Sequence, residues 1–299
     1  MRAVRLTESG LQLEQIDTPE PGAGDALVRV RAAAITKDEL EWPVDRLPAI
    51  PSYELSGEVA ALGPDANGVA VGDEVYALAD FGRDGAAADF AVVAAALLAP
   101  KPRSLDHVAS AAIPLAAVSA WQGLFDHGRL EAGQRVLILG ATGGVGHFAT
   151  QLARHRGAHV IAAASDADAA KALGAHEVVD ARRERIEDAV EPVDLVFDTV
   201  GGELLEHAPA LLTNGGRLVS IAGEPPGEGT YFVVEPSREQ LVELTRLVDS
   251  GELRVAIDST FALSDAAAAF ERSLASGKRG KVVLQVADQG ASAAPGGGG

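Results

Sequence analysis

The chain has 299 residues, 47% of them hydrophobic, so it can bury two cores at about 100 to 200 residues per domain. Its formal charge of -18 repels phosphate backbones and anionic bilayers, which argues against nucleic acid and membrane partners. The absence of cysteine excludes disulfides, thiolate zinc sites and cysteine nucleophiles.

Met1-Arg2-Ala3-Val4-Arg5-Leu6 lacks the apolar core of a signal peptide, and no run approaches the roughly 18 apolar residues of a membrane span. The expectation is a soluble cytoplasmic protein. Through about residue 93 apolar side chains alternate in short runs, as in Ala26-Leu27-Val28-Arg29-Val30-Arg31 and Val71-Gly72-Asp73-Glu74-Val75-Tyr76, between Gly, Pro and Asp clusters. That pattern predicts a β-rich domain. Residues 105–126 are rich in Ala, Leu and Val but interrupted by Pro114, which predicts kinked or paired helices bridging two domains.

The period changes at Arg135. Val136-Leu137-Ile138-Leu139 is a short apolar strand, Gly140-Ala141-Thr142-Gly143-Gly144-Val145-Gly146 a glycine-rich turn, and Val145, Phe148, Ala149, Leu152 and Ala153 fall at helical spacing. Further strands are predicted at residues 159–164, 177–179, 195–197 and 217–221. Apolar strands alternating with helices indicate a parallel, doubly wound sheet, so the fold class is α/β. Ser237-Arg238-Glu239-Gln240 has capping-box spacing ahead of Leu241, Leu244 and Val248. A last helix is expected over residues 265–274, then a strand at Lys281-Val282-Val283-Leu284. His155 and His159 are four apart, but Gly157 ends the helix between them, so they form no metal pair. Residues 287–299, small and Gly-rich, are expected to be a disordered tail.

A helix entered from a strand through glycines offers unpaired N–H groups and a positive dipole end to an anion. Gly143 and Gly144 let a pyrophosphate approach where a Cβ would obstruct it, and Gly146 lets the helix pack closely. Thr142 and Val145 complete this dinucleotide loop. Ala141 departs from G-x-G-x-x-G. At the end of the second strand, where a carboxylate would bind the ribose 2′-hydroxyl of NAD, the chain reads Ala163-Ala164-Ser165-Asp166. Ala164 leaves room for the 2′-phosphate of NADP, with Ser165 as donor, so NADPH is preferred and NADH is the alternative coenzyme. Asp166 and Asp168 oppose that preference. Lys171, Arg182 and Arg183 are the nearest cations in sequence, and ordinary surface roles suit all three.

With these residues in place the chain resembles the zinc-free quinone oxidoreductase branch of the medium-chain dehydrogenase/reductase superfamily. The resemblance runs through Pro51-Ser52-Tyr53-Glu54-Leu55-Ser56-Gly57, Val71-Gly72-Asp73-Glu74-Val75, Ser119-Ala120-Trp121, the glycine loop, Leu173-Gly174-Ala175, Asp198-Thr199-Val200-Gly201-Gly202 and Arg279-Gly280-Lys281-Val282-Val283-Leu284. It implies a discontinuous GroES-like β-rich catalytic domain (residues 1–118 and 258–286) around a Rossmann domain (residues 119–257), with coenzyme and substrate in the cleft between them. Zinc-bearing relatives place a Cys and a His at positions that correspond here to Ile35 and Tyr53. Without a Lewis acid the implied reaction is hydride donation to an activated C=C or quinone.

Tyr53 is then either the hydrogen-bond or proton donor or a wall of the cleft, and Thr36 and Ser119 either face the nicotinamide and substrate or satisfy local backbone groups. The resemblance adds Ile221, Ala222, Gly223, Phe232 and Val233 as coenzyme contacts, with strand packing as the alternative for each. It implies a small-molecule quinone, enone or enoyl substrate and a homodimer paired through the edge at residues 230–234. Two other functions are compatible: an enoyl reductase acting on a thioester or polyketide intermediate, and an NADPH-binding sensor or structural protein without turnover.

Overall fold

Alternation in the first third of the chain folds as β-structure. The structure, a computed structural model, describes residues 1–42 and 46–286. The expected tail lies outside the described residues. An antiparallel pair, β1 (Arg2–Thr7) and β2 (Gly10–Gln15), precedes the long β3 (Asp25–Ile35), which is followed by β4 (Glu54–Leu62), β5 (Glu74–Leu78), β6 (Phe90–Ala94) and β7 (Ala99–Pro100). Pro114 occupies the start of a helix rather than its middle, where its missing N–H costs nothing. It therefore separates α1 (His107–Ala111) from α2 (Pro114–Trp121), which runs on into a π-helical turn at Gln122–His127.

The doubly wound part follows as β8 (Arg135–Leu139), α3 (Gly146–His155), β9 (His159–Ala163), α4 (Ala167–Ala172), β10 (Glu177–Val179), α5 (Ile186–Ala189), β11 (Val193–Asp198), α6 (Glu203–His207), β12 (Leu212–Ser220), β13 (Thr230–Tyr231) and α7 (Arg238–Asp249). Its sheet order is β10-β9-β8-β11-β12-β13, parallel throughout. The unbroken apolar run of β8 is explained by burial on both faces: Val136 and Ile138 join one core with Phe148, Leu152 and Leu244, while Leu137 and Leu139 join another with Leu205 and Leu211. Ser237 caps α7 by accepting the Gln240 N–H, as its spacing predicts, and α3 ends at His155, which leaves His159 on β9. The predicted strand at residues 217–221 is longer at its start and stops at Ser220.

The chain then returns to the first sheet through β14 (Ile257–Ala262), α8 (Ala266–Leu274) and β15 (Lys281–Gln285). Its order is β14-β15-β3-β4-β5-β7, with β6 also paired to β3, so strands from both ends of the chain share one sheet. The two halves are joined where the Tyr76 hydroxyl of β5 donates to the Leu241 carbonyl of α7 at 2.6 Å. Among the described residues no helix is long and apolar enough to cross a membrane.

Candidate active site

Strand order in the parallel sheet reverses between β8 and β11, so the loops after these strands open a crevice at their carboxyl ends. The glycine loop leaves β8 at that point. Gly140 takes φ +80°, and a Cβ there would lie 2.6 Å from Val200. A Cβ on Gly146 would fall 2.0 Å from the Gly140 carbonyl oxygen, so the first turn of α3 touches the start of the loop. Gly144 instead faces open space on the cleft side, where a Cβ would meet only the Lys281 side chain at 3.4 Å and the Gly280 carbonyl at 3.7 Å. The residue preceding α3 is Val145, which has no side-chain acceptor for the first-turn N–H groups. The His147, Phe148 and Ala149 N–H groups donate to the Gly143 and Val145 carbonyls, which leaves those of Gly144, Val145 and Gly146 for an anion, and a pyrophosphate fits that cradle.

The cradle is fastened from behind. His147 is fully buried; its Nδ1 donates to the Gly143 carbonyl at 2.9 Å, and its Nε2 accepts the Ala256 N–H at 3.2 Å. Burial pushes this imidazole down to about 4, so it is neutral, as the accepting Nε2 requires. Gly280 N–H also donates to the Thr142 carbonyl at 3.3 Å, which links the loop to the segment entering β15.

The neighbouring loops are organised by a buried carboxylate that was quoted within a motif in the sequence but given no site role there. Asp198, at the end of β11, accepts the Val200 and Gly201 N–H groups and the Ser220 hydroxyl, the last at 2.7 Å. Ser220 Oγ in turn accepts the Ala222 and Gly223 N–H groups. Of the expected coenzyme contacts there, Ile221 and Gly223 are half-buried and Ala222 exposed. Phe232 is buried and stacks on His127 at 4.3 Å, whereas Val233 is 62% exposed. Ser165 lies exposed beyond β9, on a cavity of about 530 Å³ shared with Thr142.

The opposite wall carries a buried ionic cluster. Glu54 is 0% exposed; it accepts the Leu115 N–H at 3.0 Å and the Thr36 hydroxyl at 3.3 Å, and pairs with Lys281. Lys281 Nζ also donates to Thr36 Oγ1 at 3.2 Å, and its stem borders Gly144. Glu39, buried beside them, accepts the N–H groups of Thr36 at 2.8 Å and Ser52 at 2.9 Å. Thr36 is thus brought to the coenzyme loop through Lys281. Glu39, Glu54 and Lys281 were missed as site residues, although Glu54 and Lys281 stand as lone charges at the heads of strands reading Glu-Leu-Ser-Gly and Lys-Val-Val-Leu. Such placement is a signal, because a charge in an apolar strand requires a partner.

Tyr53 sits apart from this cluster, in a nest where it stacks on Trp42 at 6.1 Å and meets Phe81 edge-on at 5.2 Å. Burial first, then the negative charges of Glu39 and Asp84, raise its phenol above 10, so it stays protonated and able to donate. Ser119 is buried on α2, one turn beyond Leu115 and so beyond the Glu54 contact.

Comparison with known proteins identifies the fold and the family. Residues 22–103 match the alcohol dehydrogenase GroES-like domain and residues 173–284 the zinc-binding dehydrogenase model. The chain is 32% identical to 2-methylene-furan-3-one reductase of Solanum lycopersicum, over 95% of this chain and 79% of that protein. It is also 32% identical to the chloroplastic NADPH-dependent alkenal/one oxidoreductase of Arabidopsis thaliana, over 92% and 75%. The solved quinone oxidoreductase of Coxiella burnetii superposes with a TM-score of 0.90 at 30% identity, covering 96% of this chain and 99% of the other. The chain belongs to the quinone oxidoreductase branch of the medium-chain dehydrogenase/reductase superfamily.

Within that superfamily, one of the two positions assigned to lost metal ligands needs correction. Ile35 is 3% exposed and packs in the core of the β-rich half with Ile50 and Val282, so it does not face the cleft. The next residue, Thr36, does, because successive strand residues point to opposite faces. The matched model carries zinc in its description, yet this member has no cysteine. No group of three or more His, Asp or Glu that could hold a metal occurs among the described residues.

The acid cluster has a pH signature. Burial lifts Glu39 from 4.5 to about 7 despite its two N–H bonds and the charge of Lys281. The native state therefore keeps a proton that the unfolded chain releases above 4.5. This contribution to stability is complete below pH 4.5 and is lost as pH rises to about 7. Glu39→Gln removes it, so the stability of the variant minus that of the wild type should climb with pH over this window by up to about 3 kcal/mol. Urea unfolding at a series of pH values checks this. A difference independent of pH would contradict the assignment.

Proposed function

We propose that the protein is an NADPH-dependent, metal-free oxidoreductase that reduces quinones or α,β-unsaturated carbonyls. The observation that carries the reading is an anion cradle at the sheet's switch point, linked through Lys281 beside Gly144 to Glu54, whose chain neighbour Tyr53 is a buried phenol that remains protonated at neutral pH. The names of the tomato and Arabidopsis relatives support an enone acceptor, and that of the Coxiella structure a quinone. When bound, the coenzyme supplies a hydride. The backbone of Thr142, Gly143, Gly144 and Val145 holds its pyrophosphate, with Lys281 beside Gly144 as the neighbouring cation.

What the chain itself does is bind, orient and move one proton. Trp42 and Tyr53 lie nearly parallel and Phe81 stands edge-on to both, an apolar, aromatic nest that suits a conjugated acceptor. The Tyr53 hydroxyl donates to the acceptor oxygen, which becomes enolate-like as the β-carbon is reduced. Thr36, held by Glu54 and Lys281, fixes the floor of the cleft. No cysteine is available for zinc, and a conjugated acceptor needs no Lewis acid of that strength. A cytoplasmic location and a homodimer belong to the same reading. The dimer is supported by the outermost strand β13, where Tyr231 is 40% exposed.

Tyr53→Phe retains the ring and removes the proton. It should lower kcat about 100-fold with quinones and enones while NADPH affinity, read by nicotinamide fluorescence, changes less than about twofold. Full turnover would reduce Tyr53 to a wall of the cleft. NADPH binding with no oxidation by any quinone, enone or enoyl thioester would defeat the enzyme reading itself.

A further inference from the structure

The cavity beyond β9 contains more positive charge than the local sequence offers. Arg182, one of the nearest cations in sequence, lines it, and two further cations, Lys278 and Arg279, arrive from the loop between α8 and β15, more than a hundred residues beyond β9 in the chain. Three cations on one cavity are notable in a protein with 43 acidic and 25 basic residues. The loop is held in place: Gly277 and Gly280 take φ +76° and +80°, Arg279 N–H donates to Asp258 at 3.2 Å, and Gly280 N–H reaches the coenzyme loop at Thr142. Burial and then the charges of Lys281 and Lys37 depress Lys278, against the opposing pull of Asp258 and Asp38.

The anion that Arg279 does find belongs to the chain. Its guanidinium pairs with Asp166, the acid just beyond Ser165, although 68% of the Arg279 side chain is exposed. Arg182 leans on Asp180 at 3.5 Å, and Asp168 is the other carboxylate on the cavity. At the end of the second strand of a dinucleotide fold this is where the adenosine ribose lies. A guanidinium there suits the planar, bidentate recognition of a phosphate, and a carboxylate is a weaker partner of lower charge.

We propose that Arg279 reads the coenzyme's 2′-phosphate across the cleft, and that Asp166 is an internal stand-in which that phosphate displaces. The inference rests on the dinucleotide reading above and goes beyond it. It assigns coenzyme choice to the C-terminal loop rather than to Lys171 or Arg183, neither of which lines the cavity. It also assigns Asp166 two duties, since the same carboxylate accepts the Ala169 N–H at 3.0 Å.

The test is a set of fluorescence titrations of NADPH and NADH against wild type, Arg279→Ala and Asp166→Asn, with 2′,5′-ADP and 5′-AMP as competitors. Arg279→Ala should weaken NADPH and 2′,5′-ADP about 10- to 100-fold and NADH and 5′-AMP less than about twofold. Asp166→Asn preserves the cap, for which Asn is as good as Asp, but removes the competing charge. It should tighten NADPH about threefold or more and leave NADH unchanged. Equal losses for both coenzymes, or no loss for either, in Arg279→Ala would overturn the subsite while leaving the dinucleotide reading intact. Failure of the wild type to bind either coenzyme would overturn that reading and the proposal with it.

Discussion

Glu54→Leu and Lys281→Met will each destabilise the protein by about 3 to 5 kcal/mol, whereas the double substitution will lose much less than their sum. The pair is buried, with Glu54 0% and Lys281 5% exposed, so removing either partner leaves the other charge without compensation. Removing both leaves Leu115 N–H and the Thr36 hydroxyl without their acceptor, a residual cost of about 1 to 3 kcal/mol. Denaturant unfolding of the four proteins yields the coupling directly. Additive losses, or single variants as stable as wild type, would show that the pair is not a closed ionic unit. The effect should also reach function, because the same two side chains hold Thr36 and border Gly144.

The second large effect separates two glycines of one loop. In Gly146→Ala the new methyl would start 2.0 Å from the Gly140 carbonyl oxygen and 2.9 Å from the Ala141 Cα, both backbone, so the loop itself must move. Overpacking of about 3 kcal/mol expressed in the loop corresponds to about a 100-fold loss of NADPH affinity. In Gly144→Ala the methyl finds only ordinary contacts at 3.4 Å and 3.7 Å. That variant should fold within about 1 kcal/mol of wild type and still bind NADPH about tenfold more weakly, since its methyl fills the phosphate's space. Wild-type NADPH affinity in Gly146→Ala would contradict this account of the turn. Equal unfolding costs in the two variants would contradict the distinction between them.

Periodicity made the parallel sheet readable because β8, β9 and β11 are buried on two faces and their composition shows it. Ser237 marked a helix start, and Pro114 a break between helices, through local backbone chemistry alone. The return of residues 257–285 to the first sheet could not be derived from spacing, since β15 pairs with β3, more than two hundred residues earlier, and carries β14 on its other edge; only the resemblance implied it. Side-chain direction was the weakest inference. One residue of strand register separates Ile35 in the core from Thr36 on the cleft, and sequence alone does not fix that register. The roles of Glu39, Asp198 and Arg279 were not legible, although Asp198 and Arg279 stand in motifs that carry the resemblance, because each acts through groups distant in sequence or through backbone N–H donors, which leave no trace in composition.

The most direct test of the central claim is turnover of a simple enone by protein stripped of metal with chelator, using NADPH deuterated at the transferable position. The account predicts undiminished oxidation of NADPH, with deuterium at the β-carbon and a solvent proton at the α-carbon of the product. Activity that vanishes with the metal and returns when zinc is added, or a product without deuterium at the β-carbon, would contradict it.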